Sequence, residues 1–361
     1  MEIKNGIIAI PPGESIKEQL DDRAMNQTEF AERMGYSTKF ISELINGKVI
    51  LSQQTALRLE SVLGVPARFW NNLEALYQED LARIKQEIEL ESELSIADSI
   101  PYTEMAKKKW IQTTKVPRER VELLRRYYAV ASLRHIKKLN KLCAVFRKVD
   151  HGKASEYALS AWMQKGFIEA SEITTKPFNK IKLDANLTKI RAFINDEPTF
   201  FQPKLIELLA DCGVALVFLP HLKNTYAHGA TTWENKNKAI IILSIRGKDA
   251  DKFWFSLFHE IGHLILHGKD NTFIQYDDMT AHDNRETEAD LFASNILIPA
   301  SEYYTFLEMA DFSEQSISSF ASFISIHPGI VVGRLQHDQK IGFNQLNHMK
   351  QKYEWTEANL Q

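Results

Sequence analysis

Cysteine is nearly absent. The 361 residues hold two, Cys143 and Cys212, far apart and without a partner motif, so neither a disulfide framework nor a thiolate zinc site is implied. Long apolar runs are missing as well. None approaches the ~18 residues of a membrane span, and the first twelve residues, MEIKNGIIAIPP, carry no long apolar stretch with a cleavage site. No low-complexity tract or internal repeat suggests a solenoid. Charge of one sign is not in excess overall, with 44 Lys and Arg against 47 Asp and Glu. The expectation is a cytoplasmic protein of two or three domains with no membrane contact. The charge is unevenly spread, however. Residues 1–80 carry eight basic and twelve acidic side chains, whereas residues 105–150 carry fourteen and three.

What is present is organised around residues 253–268, FWFSLFHEIGHLILHG. On a helix His259 and His263 are one turn apart, so their imidazoles share a face and can hold one zinc ion, with Glu260 beside them as a base. The flanking Leu257, Phe258, Ile261, Leu264 and Ile265 are apolar nearly all round, as in a core helix. His267 lies one turn further on, too far along the axis from His259 to join the same ion. A third ligand is expected from residues 285–299, RETEADLFASNILIP, where helical spacing of Ala289, Phe292, Ala293 and Ile296 ends at a proline. A carboxylate from this helix would complete a His2Glu set and leave a fourth position for water. Glu286 and Glu288 lie about 200° apart round a helix, so only one can face the metal. The apolar stripe slightly favours Glu286.

His259-Glu-Ile-Gly-His263 followed by Glu-x-Glu288-Ala-Asp-x-Phe-Ala and Leu-Ile-Pro resembles the ImmA/IrrE family of zinc metallopeptidases. That resemblance implies that the glutamate directly before the alanine, Glu288, is the ligand, with Glu286 as its rival. It implies further that Zn2+ is the cofactor and Glu260 the catalytic base. Tyr226, His228 and His327 are candidates for an oxyanion donor. Ahead of the metal helix, residues 213–220, 228–233 and 239–244 read as strands of a small antiparallel sheet, whose edge would hold a substrate backbone. Residues 315–336 form another pair of helices, read as packing.

Residues 1–90 read as short helices punctuated by caps and glycines. Asn26 caps one with Glu29 answering it, Gly35 breaks it, Ser37 caps the next and Gly47 ends it. Pro12-Gly-Glu, Gln27-Thr-Glu-Phe-Ala, Ile41-Ser-Glu-Leu-Ile-Asn-Gly47 and Phe69-Trp-Asn-Asn-Leu resemble the HigA-like branch of the Xre family of DNA-binding antitoxins. By docking geometry Thr38, Lys39 and Ser42 would face base edges of double-stranded DNA, with Gln27 near a phosphate and Ile41 and Leu44 packed inward. So acidic a domain binds DNA poorly as a single copy, which points to a homodimer on two half-sites.

The whole chain therefore reads as α+β: a helix-turn-helix bundle over residues 1–95, a basic helical connector over 96–195, and a zincin-like metallopeptidase domain over 196–361. The function expected is a DNA-binding regulator, acting on the operator of its own operon, fused to a zinc endopeptidase that cleaves itself or a partner regulator. The competing expectation is a non-enzymatic antitoxin and repressor whose C-terminal half binds a toxin around a structural or vestigial metal site.

Overall fold

The computed structural model describes residues 2–4, 6–139, 155–244, 248–268, 273–276 and 284–353. It divides into two compact units, Met1–Ser95 and Ile96–Gln361.

The first unit opens with a hairpin of β1 (Glu2–Lys4) and β2 (Ile7–Ala9), which the helix-dominated sequence signal did not reveal. Then come α1 (Pro12–Asp21), α2 (Gln27–Met34), α3 (Thr38–Ile45), α4 (Gln53–Leu63) and α5 (Ala67–Ser99). The caps decide the boundaries. Asn26 Oδ1 accepts the Glu29 N–H at 2.9 Å, Ser37 Oγ that of Phe40 at 3.2 Å, and Ser52 Oγ that of Thr55 at 3.1 Å, each satisfying one orphan donor of a first turn. Only half of the expected capping box forms, because the Glu29 carboxylate takes Arg33 instead, at 2.7 Å. Gly35 closes α2 at φ 66°, the left-handed conformation a side chain resists. Phe30, Met34, Ile41, Ile45, Leu59 and Trp70 meet in a core from which water is excluded. The sequence reads a short helix around Phe69-Trp-Asn-Asn-Leu followed by a long one over residues 73–94; the two are one unbroken helix of 33 residues, and the division at Ser95 falls within it.

The second unit continues with α6 (Tyr102–Lys107) and α7 (Pro117–Tyr128), a 3-10 turn at Leu133–Lys138, then α8 (Glu156–Glu172), α9 (Lys180–Ala185), α10 (Leu187–Ala192) and α11 (Pro198–Asp211). Cys143 and Lys141 lie outside the described residues. Residues 96–195 do not stand as a separate connector. Leu183, Leu187, Ile190 and Ile194 share one hydrophobic core with the metal helix, and Tyr127 and Tyr128 bond Ala161 O and Ser160 Oγ on α8 at 2.7 and 3.1 Å. At helical spacing their aromatic and aliphatic residues are core, and the basic residues stay outside.

The sheet contains β3 (Val214–Phe218), β5 (Lys238–Leu243), β4 (Ala227–Asn235) and β6 (Phe273–Tyr276), in that spatial order. It is mixed rather than antiparallel. A tight turn at Lys236-Asn237 pairs β4 with β5 as a hairpin, while β3 joins the other side of β5 in parallel. Central β5 is buried on both faces, which is why Ala239–Leu243 is a continuous apolar run. Alternation sends Ala239, Ile241 and Leu243 into the main core and Ile242 against α8.

Behind the sheet follow α12 (Ala250–Leu266), α13 (Asn284–Leu297), α14 (Ala300–Glu308), α15 (Glu314–Phe323) and α16 (Pro328–His337). The last two meet at 113° and bury Ile317, Phe320, Ile330 and Val331 in the core shared with α12, as packing elements. Among the described residues no single helix is long and apolar enough to cross a membrane. A final segment straps the start of α12: Gln351 O accepts the Ala250 N–H, Lys248 O accepts that of Tyr353, and Tyr353 Oη accepts the Trp254 indole N–H at 2.9 Å.

Helix α8 approaches the sheet through Gly166, where a Cβ would stand 2.1 Å from Ile242 Cδ1. Gly166→Val is expected to cost about 1–3 kcal/mol of stability by overpacking, measured by denaturant unfolding. An unchanged midpoint would contradict so close a contact.

Candidate metal centre and DNA-binding helix

Helix α12 is apolar on every side, so packing it between sheet and α13 also buries the polar residues it carries. His259, Glu260 and His263 are each 1% exposed or less. The two histidines turn Nε2 toward each other, 3.0 Å apart, and Glu286 Oε2 of α13 closes the triangle at 3.1 Å from His259 and 3.3 Å from His263. Ligands at ordinary zinc bond lengths of about 2.0–2.2 Å lie about 3.3 Å apart on a tetrahedron. The observed edges fit that figure, and these three residues form the one metal-competent group among the described residues.

The carboxylate that the structure places beside the two histidines is therefore not the one the resemblance implies. Glu286 is buried at the histidines, whereas Glu288, two residues on and on the other side of the helix, is largely exposed and meets His267 at 2.9 Å. The apolar stripe of α13 explains the choice: Ala289, Ala293 and Leu297 face the core and carry Glu286, one turn before Ala289 and Asp290, inward with them.

Residues the sequence reading did not identify hold these groups in place. Asp290, one turn after Glu286, reaches His259 Nδ1 at 2.8 Å. Thr231 on β4 donates through Oγ1 to Glu260 Oε2 at 2.6 Å and to the Glu260 carbonyl at 3.1 Å. Gly229, on the same face of β4, lets the carboxylate approach, since a Cβ there would be 2.5 Å from Glu260 Oε1. Spacing carries a signal for each of them, because 286 and 290 share a helix face and 229 and 231 a strand face.

The charges respond to this crowding. Burial pulls the His259 pKa down, but hydrogen bonds to Asp290 and Glu286 outweigh it and raise the group to about 9. Burial pushes His263 down to about 4. Burial alone would raise Glu286, yet its hydrogen bonds to both histidines hold it well below the usual carboxylate range.

A cavity of about 850 Å3 opens on this centre, lined among others by His228, Phe255, His259, Glu286 and Asp290. Of the three oxyanion candidates, His228 alone lines it. His327 caps α16, its Nδ1 accepting the Gly329 N–H, and Tyr226 sits just before β4 at φ 52°.

In the first unit, Gln27, Thr38 and Lys39 are exposed and Ser42 is half-buried, while Ile41 and Leu44 are buried beneath α3. The turn at Gly35 sets α3 against α2. Residues 16–70 match the helix-turn-helix family model. Over 63 residues the chain is 35% identical to the uncharacterised HTH-type transcriptional regulator YddM of Escherichia coli strain K12, covering 67% of that protein and 18% of this one. The chain belongs to the helix-turn-helix family. Two solved structures are similar to part of this chain. One is a putative antidote protein of a plasmid maintenance system from Nostoc punctiforme, 37% identical, covering 23% of this chain and 91% of that one, TM-score 0.22. The other is an addiction module antidote protein of the HigA family from Coxiella burnetii, 30% identical, covering 24% and 94%, TM-score 0.22. Residues 211–348 match Peptidase_M78, the IrrE N-terminal-like domain, so the helix-turn-helix protein also carries a peptidase-family domain.

Thr231→Val removes the hydroxyl that donates to the buried Glu260 carboxylate. A loss of about 1–3 kcal/mol in unfolding free energy is expected, and a variant as stable as the parent would show that Thr231 does not hold Glu260.

Proposed function

We propose that this protein is a cytoplasmic DNA-binding regulator whose C-terminal unit is a zinc-dependent endopeptidase acting on itself or on a partner protein. The observation that carries the reading is the convergence of His259 Nε2, His263 Nε2 and Glu286 Oε2 beside a buried Glu260, at the wall of a cavity. His259, His263 and Glu286 would hold a zinc ion, which would supply Lewis acidity toward water and a carbonyl. Glu260 takes the proton from the attacking water and returns it to the leaving amine. Thr231 keeps the carboxylate aimed while Gly229 leaves it room. His228 is the oxyanion donor favoured by its place on the cavity wall. A site serving only to stabilise the fold has no need of a base at Glu260.

On the DNA side, Thr38, Lys39 and Ser42 read base edges and Gln27 meets a phosphate, with the acidic unit working as a homodimer on the operator of its own operon. A second reading, a non-enzymatic antitoxin that binds a toxin, draws on the similar antidote proteins, whose likeness covers 23% and 24% of this chain.

Full-length protein and Glu260→Gln, each loaded with zinc, are to be incubated with and without operon DNA and any co-encoded partner protein. The peptidase reading predicts fragments from the parent alone, with zinc retained by both. Zinc in both and cleavage by neither supports the antitoxin reading. A second expectation concerns pH. Zinc must displace the proton from His259, whose pKa is about 9. Apparent zinc affinity, measured in chelator-buffered zinc, should therefore rise from pH 7 toward 9 and level off above. A flat profile over that interval contradicts it.

A further inference from the structure

Helix α12 carries a histidine on three successive turns, and the metal centre uses only the first two. His267, at the C-cap of the helix, places Nδ1 3.0 Å from Nδ1 of His263 and Nε2 2.9 Å from Glu288 Oε2. Contact between two imidazole nitrogens requires one proton between them, so one ring donates and the other accepts. If His263 keeps a lone pair at Nε2 for a metal, its proton is on Nδ1 and points at His267. The Nδ1 of His267 then accepts, its own proton lies on Nε2, and that proton is donated to Glu288. Each proton in the chain from carboxylate to His263 has one place to be.

We propose that His267, anchored by Glu288, is a positioning residue that fixes the tautomer and ring orientation of His263, an inference that rests on the metal-centre reading above. The two metal-facing histidines are thus held differently. Asp290 reaches His259 directly at 2.8 Å, while the carboxylate serving His263 acts through an intervening imidazole. This gives Glu288 a task from an exposed position where it touches neither His259 nor His263. It also explains why a histidine sits at the end of a helix otherwise apolar beyond its metal-facing residues. Outer partners of a metal-bound histidine commonly contribute about tenfold to a hundredfold in metal affinity.

The test uses the full-length protein and zinc alone, in competition with a chromogenic chelator. His267→Ala should weaken zinc binding about tenfold to a hundredfold. His267→Asn, whose side-chain oxygen falls near the lost Nδ1, should recover most of that loss. Glu288→Ala should weaken binding by less than His267→Ala, and thermal unfolding of its zinc-free form should match the parent because the glutamate is exposed. Glu286→Gln is the control for the metal centre and should lose binding most. If His267→Ala and Glu288→Ala bind zinc like the parent while Glu286→Gln does not, the positioning role is overturned and the metal centre stands. Asparagine no better than alanine also overturns the acceptor role. If cobalt(II) bound to His267→Ala shows a changed coordination spectrum at saturation, His267 is itself a ligand and the proposal falls. A parent that holds no zinc, or a Glu286→Gln variant that binds it unchanged, removes the metal-centre reading and this inference with it.

Discussion

Two imidazoles and a carboxylate brought to one buried point constrain the rest of the second unit. Burying ionisable groups is unfavourable unless each is paired or coordinates a metal. Here the groups are 1%, 1% and 6% exposed and within 3.3 Å of one another. Such an arrangement requires two helices fixed in register, one bearing the histidines and the other the glutamate. Sheet, α13, α15, α16 and the strap ending at Tyr353 all contribute apolar surface to the core that fixes α12. A one-residue slip of α13 would turn Glu286 through about 100° and take it from the site.

The metal helix was legible because its chemistry and its packing are both local. Histidines at 259 and 263 must share a helix face, and the apolar residues around them must be buried. The choice between Glu286 and Glu288 was a long-range question, and motif likeness and apolar patterning gave different answers. The structure sides with patterning, since Ala289, Ala293 and Leu297 define the inward face. Thr231 and Gly229 were harder to find. Strand alternation puts 229 and 231 on one face, but that this face meets Glu260 depends on how the sheet packs on α12, which no spacing within the strand reveals. The mixed sheet was missed for a related reason, because each strand reads the same whether its neighbour is parallel or antiparallel.

In the first unit the reading from caps and glycines held where single residues decide an outcome. Asn26, Ser37, Ser52 and Gly35 each terminate or start a helix through one bond or one dihedral angle. It failed at the β1–β2 hairpin, and at the ends of the long helix read over residues 73–94, which starts earlier and stops later as the 33-residue α5. Residues 96–195 were read as a connector from the boundary signal at Ser99-Ile100-Pro101 and from the family resemblance, with the basic charges as its surface. Its buried Tyr127 and Tyr128 bond α8, and further along the same connector Leu183, Leu187, Ile190 and Ile194 join the core around α12.

Every functional statement about the second unit depends on where a zinc ion sits and which glutamate holds it. Crystals of the zinc-loaded protein, measured on both sides of the zinc absorption edge, would locate the ion directly. The structure predicts one anomalous peak about 2 Å from His259 Nε2, His263 Nε2 and a Glu286 carboxylate oxygen, with Glu288 remaining on His267. A peak bonded to Glu288 or His267, or none between the two histidines, would contradict it.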